Sequence, residues 1–237
     1  MIEVTGLKKS FGKATVLKGV SVNLPLSTVA AIMGPNGSGK TTFLKSILGL
    51  IIPDSGVVKV KGVLIKNNFD YRRHIGYMPQ IARYPENLKV KELITMIQNI
   101  REHYDHLDNE LIEAFKVQDL YDENLGTLSG GQKQRVGGAL AFMFNQEVII
   151  LDEPTAGLDP VSTEVMKNKI QKEKNNNKLI LITTHIISEA EELANQIIYM
   201  MEGNILLDST VEKFKSEMNE ISLGKALAKA MINYEGK

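Results

Sequence analysis

The sequence predicts an α/β fold, and three observations predict it. A short apolar run, Val29 to Met33, ends in a glycine-rich loop, and Phe43, Leu44, Ile47, Leu48 and Ile51 follow at helical spacing. Two later runs, Val148 to Leu151 and Leu179 to Ile182, are apolar without interruption, as strands buried on both faces are. Between the loop and those strands, from about Pro79 to Gln134, the apolar residues follow a helical period instead.

The remaining elements follow in order. The opening reads as strand and turn, with Val20, Val22 and Leu24 alternating with polar neighbours in the period of a half-buried strand. Pro53-Asp54-Ser55-Gly56 is a turn signal, and Val57 to Val60 reads as the next strand. Val90, Leu93, Ile94, Ile97 and Ile100 mark one helix, and Leu111 to Phe115 a second helical stretch leading to Leu120. Between the two late strands a helix ends in a polar loop around Asn175 to Asn177. The chain is expected to be a single domain over 1–237, with 79–134 a helical insertion in the α/β core.

Composition narrows the function. With 43% hydrophobic and 24% charged residues, the 237-residue chain is of ordinary globular type. Basic and acidic residues balance at 28 each, which argues against a protein that coats nucleic acid, and no nucleic-acid partner is expected. The absence of cysteine excludes disulfide scaffolds, zinc ribbons and cysteine nucleophiles. No apolar run approaches membrane-spanning length and the N-terminus lacks a signal pattern, so a soluble chain is expected.

Gly34-Pro35-Asn36-Gly37-Ser38-Gly39-Lys40-Thr41-Thr42 fits G-x-x-x-x-G-K-[ST] between a strand and a helix, the context that motif needs. Glycines let backbone N–H groups turn inward around phosphate oxygens, and the helix N-terminus adds its positive dipole. Lys40 can reach the β- and γ-phosphates, and the Thr41 hydroxyl can ligate Mg²⁺. The strand Val148 to Leu151 ends in Asp152 and Glu153. Asp152 at a strand's C-terminal end can hold Mg²⁺ through water. Glu153 beside it can orient or deprotonate an attacking water. Leu128-Ser129-Gly130-Gly131-Gln132 carries a helix N-cap at Ser129 and a capping-box partner at Gln132.

At that last motif the sequence resembles the ATP-binding cassette (ABC) family, whose signature is LSGGQ. The resemblance extends over essentially the whole chain. It implies a P-loop NTPase (RecA-like) core with an N-terminal antiparallel β subdomain and an inserted α-helical subdomain. It implies ATP and Mg²⁺ as cofactors and ATP hydrolysis as the activity. Family members work as dimers, so Ser129, Gly130, Gly131 and Gln132 would face the γ-phosphate held by a second copy. Gln80, after Tyr77-Met78-Pro79, matches the glutamine that reaches Mg²⁺ and the water. Asp159, in Ala156-Gly157-Leu158-Asp159, matches the loop that touches the opposing subunit. His185 matches the histidine on the γ-phosphate, and Phe11 the aromatic that stacks on adenine. Gly137, Gly138 and Leu140 depart from the family pattern, and could alter packing at the dimer interface.

Too few residues separate Thr41 from Ser129 for a long coiled coil, and one signature with one phosphate loop excludes a tandem cassette. The expectation is therefore a transporter's ATPase subunit, peripheral on the inner face of the cell membrane through separate permease subunits. The alternative is a soluble cassette ATPase that assists protein or cofactor assembly, iron–sulfur-scaffold-like, told apart by its partner. The segment from Asp70 to Asn87 resembles exporter-type subunits, most closely those of the copper-site maturation system of nitrous oxide reductase. That likeness would put Arg83, Tyr84 and the helix from Val90 near the groove receiving the permease. His103, Asp105, His106 and Asp108 offer ligand types for a metal but read better as a solvated helix end.

Overall fold

A computed structural model describes residues 1–101 and 106–235 of the chain. In chain order the strands and helices are β1 (Ile2–Phe11), β2 (Ala14–Leu24), β3 (Thr28–Met33), α1 (Lys40–Ile47), β4 (Ser55–Val60), β5 (Val63–Leu64), β6 (Ile75–Met78), α2 (Val90–Arg101) and α3 (Glu110–Ala114). They continue with α4 (Gly130–Phe142), β7 (Val148–Asp152), α5 (Pro160–Asn175), β8 (Leu179–Thr183), α6 (Ile187–Leu193), β9 (Gln196–Met201), β10 (Asn204–Thr210), α7 (Val211–Met218) and α8 (Leu223–Glu235). The chain divides into two compact units, one of residues 1–71 with 181–237 and one of residues 72–180.

The first unit holds an antiparallel sheet in the order β2-β1-β4-β5. Its longest strands alternate in burial, with Ile2, Val4 and Leu7 inside and Glu3, Thr5 and Lys8 outside, as a sheet with one wet face requires. β3 differs: all six of its residues are buried, matching the unbroken apolar run. It pairs in parallel with β9, which turns back antiparallel into β10. The side-chain amide oxygen of Asn195 accepts from Val29 N–H at 2.7 Å, and the Val29 carbonyl accepts from Asn195 N–H at 3.0 Å. That reciprocal pair fixes the register in which β3 delivers its C-terminal end to the glycine loop.

The second unit pairs β6 and β7 in parallel, Ile75 opposite Val148 through Met78 opposite Leu151. Among the described residues, everything between β6 and β7 is helix or loop, apart from an isolated bridge between Lys89 and Asn124. α4 lies so close to β6 that a Cβ at Gly76 would fall 1.9 Å from the Ala141 carbonyl oxygen. Gly76→Ala is therefore expected to lower unfolding free energy by about 2 kcal/mol, read from urea denaturation, because backbone rather than a flexible side chain must move.

Gly137 and Gly138, helix-weakening by propensity, have a packing reason. A Cβ on Gly138 would meet the Met166 methyl at 2.6 Å and the Phe115 ring at 3.4 Å, and one on Gly137 the Tyr84 hydroxyl at 3.6 Å. Leu140 is buried as well. These three departures thus shape the interior of the unit. Tyr84 sets its hydroxyl against α4, and burial pushes its pKa up to about 12.

Candidate nucleotide site

In the first unit, the loop Gly34 to Gly39 joins β3 to α1, and glycine is required where it is found. Gly34 has φ 140°, and a Cβ there would fall 2.0 Å from the Met200 carbonyl oxygen of β9. Gly37 and Gly39 also take positive φ, 82° and 105°, turning successive N–H groups to one side. The loop is anchored from outside: Gly203 N–H donates to the Ser38 carbonyl at 3.1 Å, and the Gly203 carbonyl accepts from Lys18 N–H at 2.9 Å. Lys40 Nζ donates to the carbonyls of Gly34 at 2.7 Å and Pro35 at 3.0 Å, so the ammonium spans the mouth of the loop. Pro35, Asn36 and Gly37 are exposed, as is Thr41 in the first turn of α1, with Thr42 beside it.

Ser38 is the informative residue. Its hydroxyl is buried and has no hydrogen-bond partner, although a lone polar atom in such a place is costly. A phosphate oxygen against the loop would satisfy it. The donor set, backbone N–H groups, an ammonium and two hydroxyls, is chemically that of an oxyanion site.

Phe11 closes β1 with its ring half exposed and the Lys9 ammonium 5.3 Å from its centroid. A core role is excluded; the ring offers a face to stack on. His185 is exposed in the loop after β8. That loop is shaped by Thr184, whose buried hydroxyl donates to the Glu189 carboxylate and accepts from Ile186 N–H at 3.0 Å. Sequence reasoning missed Glu189, since a glutamate on an amphipathic helix gives no sign of being buried.

The second unit carries the other predicted residues. Asp152 ends β7 and is buried, and Tyr77 on β6 feels it: burial first, then the Asp152 charge, push the Tyr77 pKa up to about 12. Glu153 follows, half-buried, with φ 53°. Gln80 is exposed just beyond β6.

Ser129 caps α4 as expected. Its side chain accepts from Gln132 N–H at 3.3 Å, while the Gln132 side-chain oxygen accepts from Ser129 N–H at 2.8 Å, completing a capping box. Ser129 and Gly130 are exposed, and a Cβ on Gly130 would meet nothing within 4 Å. Gly131 has no such room, because a Cβ there would lie 2.8 Å from the Gly157 carbonyl oxygen. Asp159 is the N-cap of α5, its carboxylate accepting from Ser162 N–H at 2.9 Å and the Ser162 hydroxyl at 2.6 Å. Those bonds hold the Asp159 pKa below the usual carboxylate range.

His103 and Asp105 lie outside the described residues; His106 is exposed, and Asp108 is engaged by the Lys169 ammonium at 2.5 Å. Asp108, Glu110 and Glu173 do bring carboxylate oxygens within 4.8 Å of one another. A lysine already sits among them.

Comparison with known proteins decides the family. The ABC transporter family model matches residues 17–156, more than half of the chain. The chain belongs to the ABC transporter family. Membership of this family of ATPases carries its reaction, the hydrolysis of ATP to ADP and phosphate. Relatives include the Nod factor export ATP-binding protein I of Burkholderia lata, 33% identical over 85% of this chain and 68% of its own length. The lantibiotic transport ATP-binding protein SrtF of Streptococcus pyogenes is 32% identical over 88% of this chain and 90% of its own. The bacitracin transport ATP-binding protein BcrA of Bacillus licheniformis is 33% identical over 91% and 71%.

Among solved structures, an ATP-binding subunit of an ABC transporter superposes with TM-score 0.91 over 98% of this cassette and 99% of its own chain, at 24% identity. That likeness establishes the fold of the cassette. A dimeric bacterial ABC transporter cassette superposes with TM-score 0.79 at 25% identity, covering 89% of this chain and 98% of its own. The same cassette in a post-hydrolysis state with ADP and phosphate gives 0.78 over the same shares. Among the described residues, no helix is long and apolar enough to cross a membrane.

Proposed function

We propose that this cassette is the energy-supplying subunit of an exporter-type transporter and works as a homodimer around two ATP molecules. The observation that carries this reading is the signature turn: Ser129 and Gly130 stand exposed at the start of a well-capped α4, with open space over Gly130. A motif built so firmly and left uncovered suits a ligand presented by a second molecule. In this reading each ATP lies between the Lys40 loop of one copy and Ser129-Gly130-Gly131 of the other. The dimeric structures support that arrangement, the relatives named for lantibiotic and bacitracin transport support a transporter, and the relative named for Nod factor export supports export.

The assigned roles are those the family resemblance implies, and the chemistry of each side chain suits them. Phe11 stacks on adenine. Lys40 and the loop N–H groups hold the β- and γ-phosphates, and His185 holds the γ-phosphate end. Glu153 orients or deprotonates the attacking water. The Thr41 hydroxyl, the Gln80 side-chain oxygen and, through water, the Asp152 carboxylate are hard oxygen donors of the kind Mg²⁺ takes. The ion would neutralise charge on the transferring phosphate. Loss of the γ-phosphate removes what bridges the two copies, so closure and opening of the dimer become the stroke passed to separate permease subunits at the membrane's inner face.

A narrower reading, copper-site maturation, rests on the likeness of the Asp70 to Asn87 segment and of the stretch Ile221 to Ile232. A permease is favoured as partner over a soluble scaffold by the transport names of the relatives. Tagged Glu153→Gln, purified from detergent-solubilised membranes of the native host with ATP and Mg²⁺, is expected to bring down a multi-spanning permease. Recovery of a soluble assembly protein with nothing from the membrane would sink the transport assignment. The genes beside that permease would test the copper reading.

A further inference from the structure

Glu153 is held in a backbone conformation that residues other than glycine rarely adopt, φ 53°, directly after the strand that delivers it. For an L-residue this left-handed form costs on the order of 1–2 kcal/mol, so neighbours must over-determine it. Two donors do so, both on the Glu153 carbonyl oxygen. Ala156 N–H donates at 3.2 Å and closes the turn. The side-chain amide Nε2 of Gln134 donates at 3.0 Å from α4.

Gln134 is buried, 6% exposed, on a helix whose other positions at this depth are apolar or glycine. Its amide therefore has a use there. α4 is also the helix that begins with the signature turn, and Gly131 in that turn rests on the Gly157 carbonyl, a few residues beyond Glu153. The signature and the Glu153 turn are thus tied at two points, one at each end of the first turns of α4.

We propose that Gln134 is a positioning residue for ATP hydrolysis: it holds the Glu153 turn so that the carboxylate faces the attacking water, and it links that orientation to the seating of the signature turn on the second copy's nucleotide. The inference rests on Glu153 being the group that handles the water. Its physical basis is geometric. The bond is made to a backbone carbonyl, so it leaves the charge of the carboxylate alone and fixes its direction. A residue released from the left-handed region swings its side chain to another face of the chain. α4 is a stiff rod over this span, about 7–8 Å at 1.5 Å per residue, so displacement at Ser129 is delivered to Gln134.

The test is steady-state hydrolysis of MgATP by the full chain. Gln134→Met keeps the length of the side chain and removes the donor. It is expected to lower kcat about tenfold, as loss of one well-placed hydrogen bond does, with KM for ATP within about twofold. Added to Glu153→Gln, it is expected to cause no further loss, since it acts only through that carboxylate. An unchanged kcat, a parallel rise in KM, or a full additional tenfold loss in the double variant would each overturn the proposal. Glu153→Gln alone separates the two ideas. If it hydrolyses like the parent, the base assignment fails first; if it is inactive while Gln134→Met matches the parent, only this inference fails. Gln134→Glu keeps the test open should the methionine variant not fold. Its buried carboxyl, once protonated, donates to the same carbonyl, so its kcat relative to the parent should climb from about pH 8 to about pH 6. A flat ratio would count against the proposal.

Discussion

Glu153→Gln is expected to hydrolyse ATP at least about a hundredfold more slowly than the parent while still binding MgATP and dimerising, which is the scale of a lost general base. The substitution keeps the shape and length of the side chain. It also keeps the bonds from Gln134 and Ala156, because both are received by the backbone carbonyl. The turn should therefore survive and only the carboxylate's basicity be lost. Phosphate release measures the first claim, and size-exclusion chromatography with and without ATP the second. Turnover within tenfold of the parent would remove Glu153 from its role. Loss of dimerisation would show that the charge holds the copies together.

Lys169→Met should lower the free energy of unfolding by about 3 kcal/mol, the low end for breaking a buried ion pair. Lys169 is 2% exposed, with Asp108 at 2.5 Å, Glu110 at 2.7 Å and Glu173 at 2.9 Å from its ammonium. Without it, Glu173 is left buried with Lys178 as its one cationic partner among the described residues, and the charge on Asp108 and Glu110 loses its centre. The remaining Lys178 pair is why the low end is expected.

The pH dependence has a definite sign. Burial by itself would raise the Glu173 pKa, but Lys178 and Lys169 outweigh it, and the net shift is downward from 4.5. Glu110 is likewise lowered from 4.5 by Lys169 and Lys172. Carboxylates with depressed folded values stabilise the protein above their unfolded pKa, and that contribution is lost as pH falls through the folded one. Burial would lower Lys169, yet its three carboxylates raise it above 10.5, so its share is present below about pH 10.5 and fades at higher pH. Urea titrations of parent and variant should differ most near neutrality and converge below about pH 4. A difference under about 1 kcal/mol at neutral pH would class this cluster with exposed ion pairs.

The legible parts of the molecule were those whose chemistry is local. The glycine loop announces itself because turning N–H groups to one side demands glycine at several closely spaced positions. The capping box at Ser129 and Gln132 lies within four residues, and the strand before Asp152 is a plain apolar run. What escaped was what distant residues decide together. The hairpin of β9 and β10 turns on Glu202 and Gly203, both at positive φ, with no Asn-Gly or Asp-Gly pair to announce it. Lys169 reads as one more lysine on a polar helix until α3 folds against it. Gln134 shares a run with Gln132 and Lys133, and nothing in that run separates the buried amide from its half-buried neighbours. Gly137 and Gly138 look like weaknesses until Met166, Phe115 and Tyr84 occupy the space beside them.

The bond from Gly203 to the carbonyl of Ser38, and the close approach of Met200 to Gly34, also bear on the order of events during synthesis. The loop leaves the ribosome well before the hairpin of β9 and β10 that braces it. Strand β3 likewise waits for β9 as its parallel neighbour. A nascent chain halted before Met200 holds every residue of the loop motif without the frame that shapes it. A chain halted before β9 and β10 is thus expected to lack a shaped loop and to bind neither nucleotide nor a second copy.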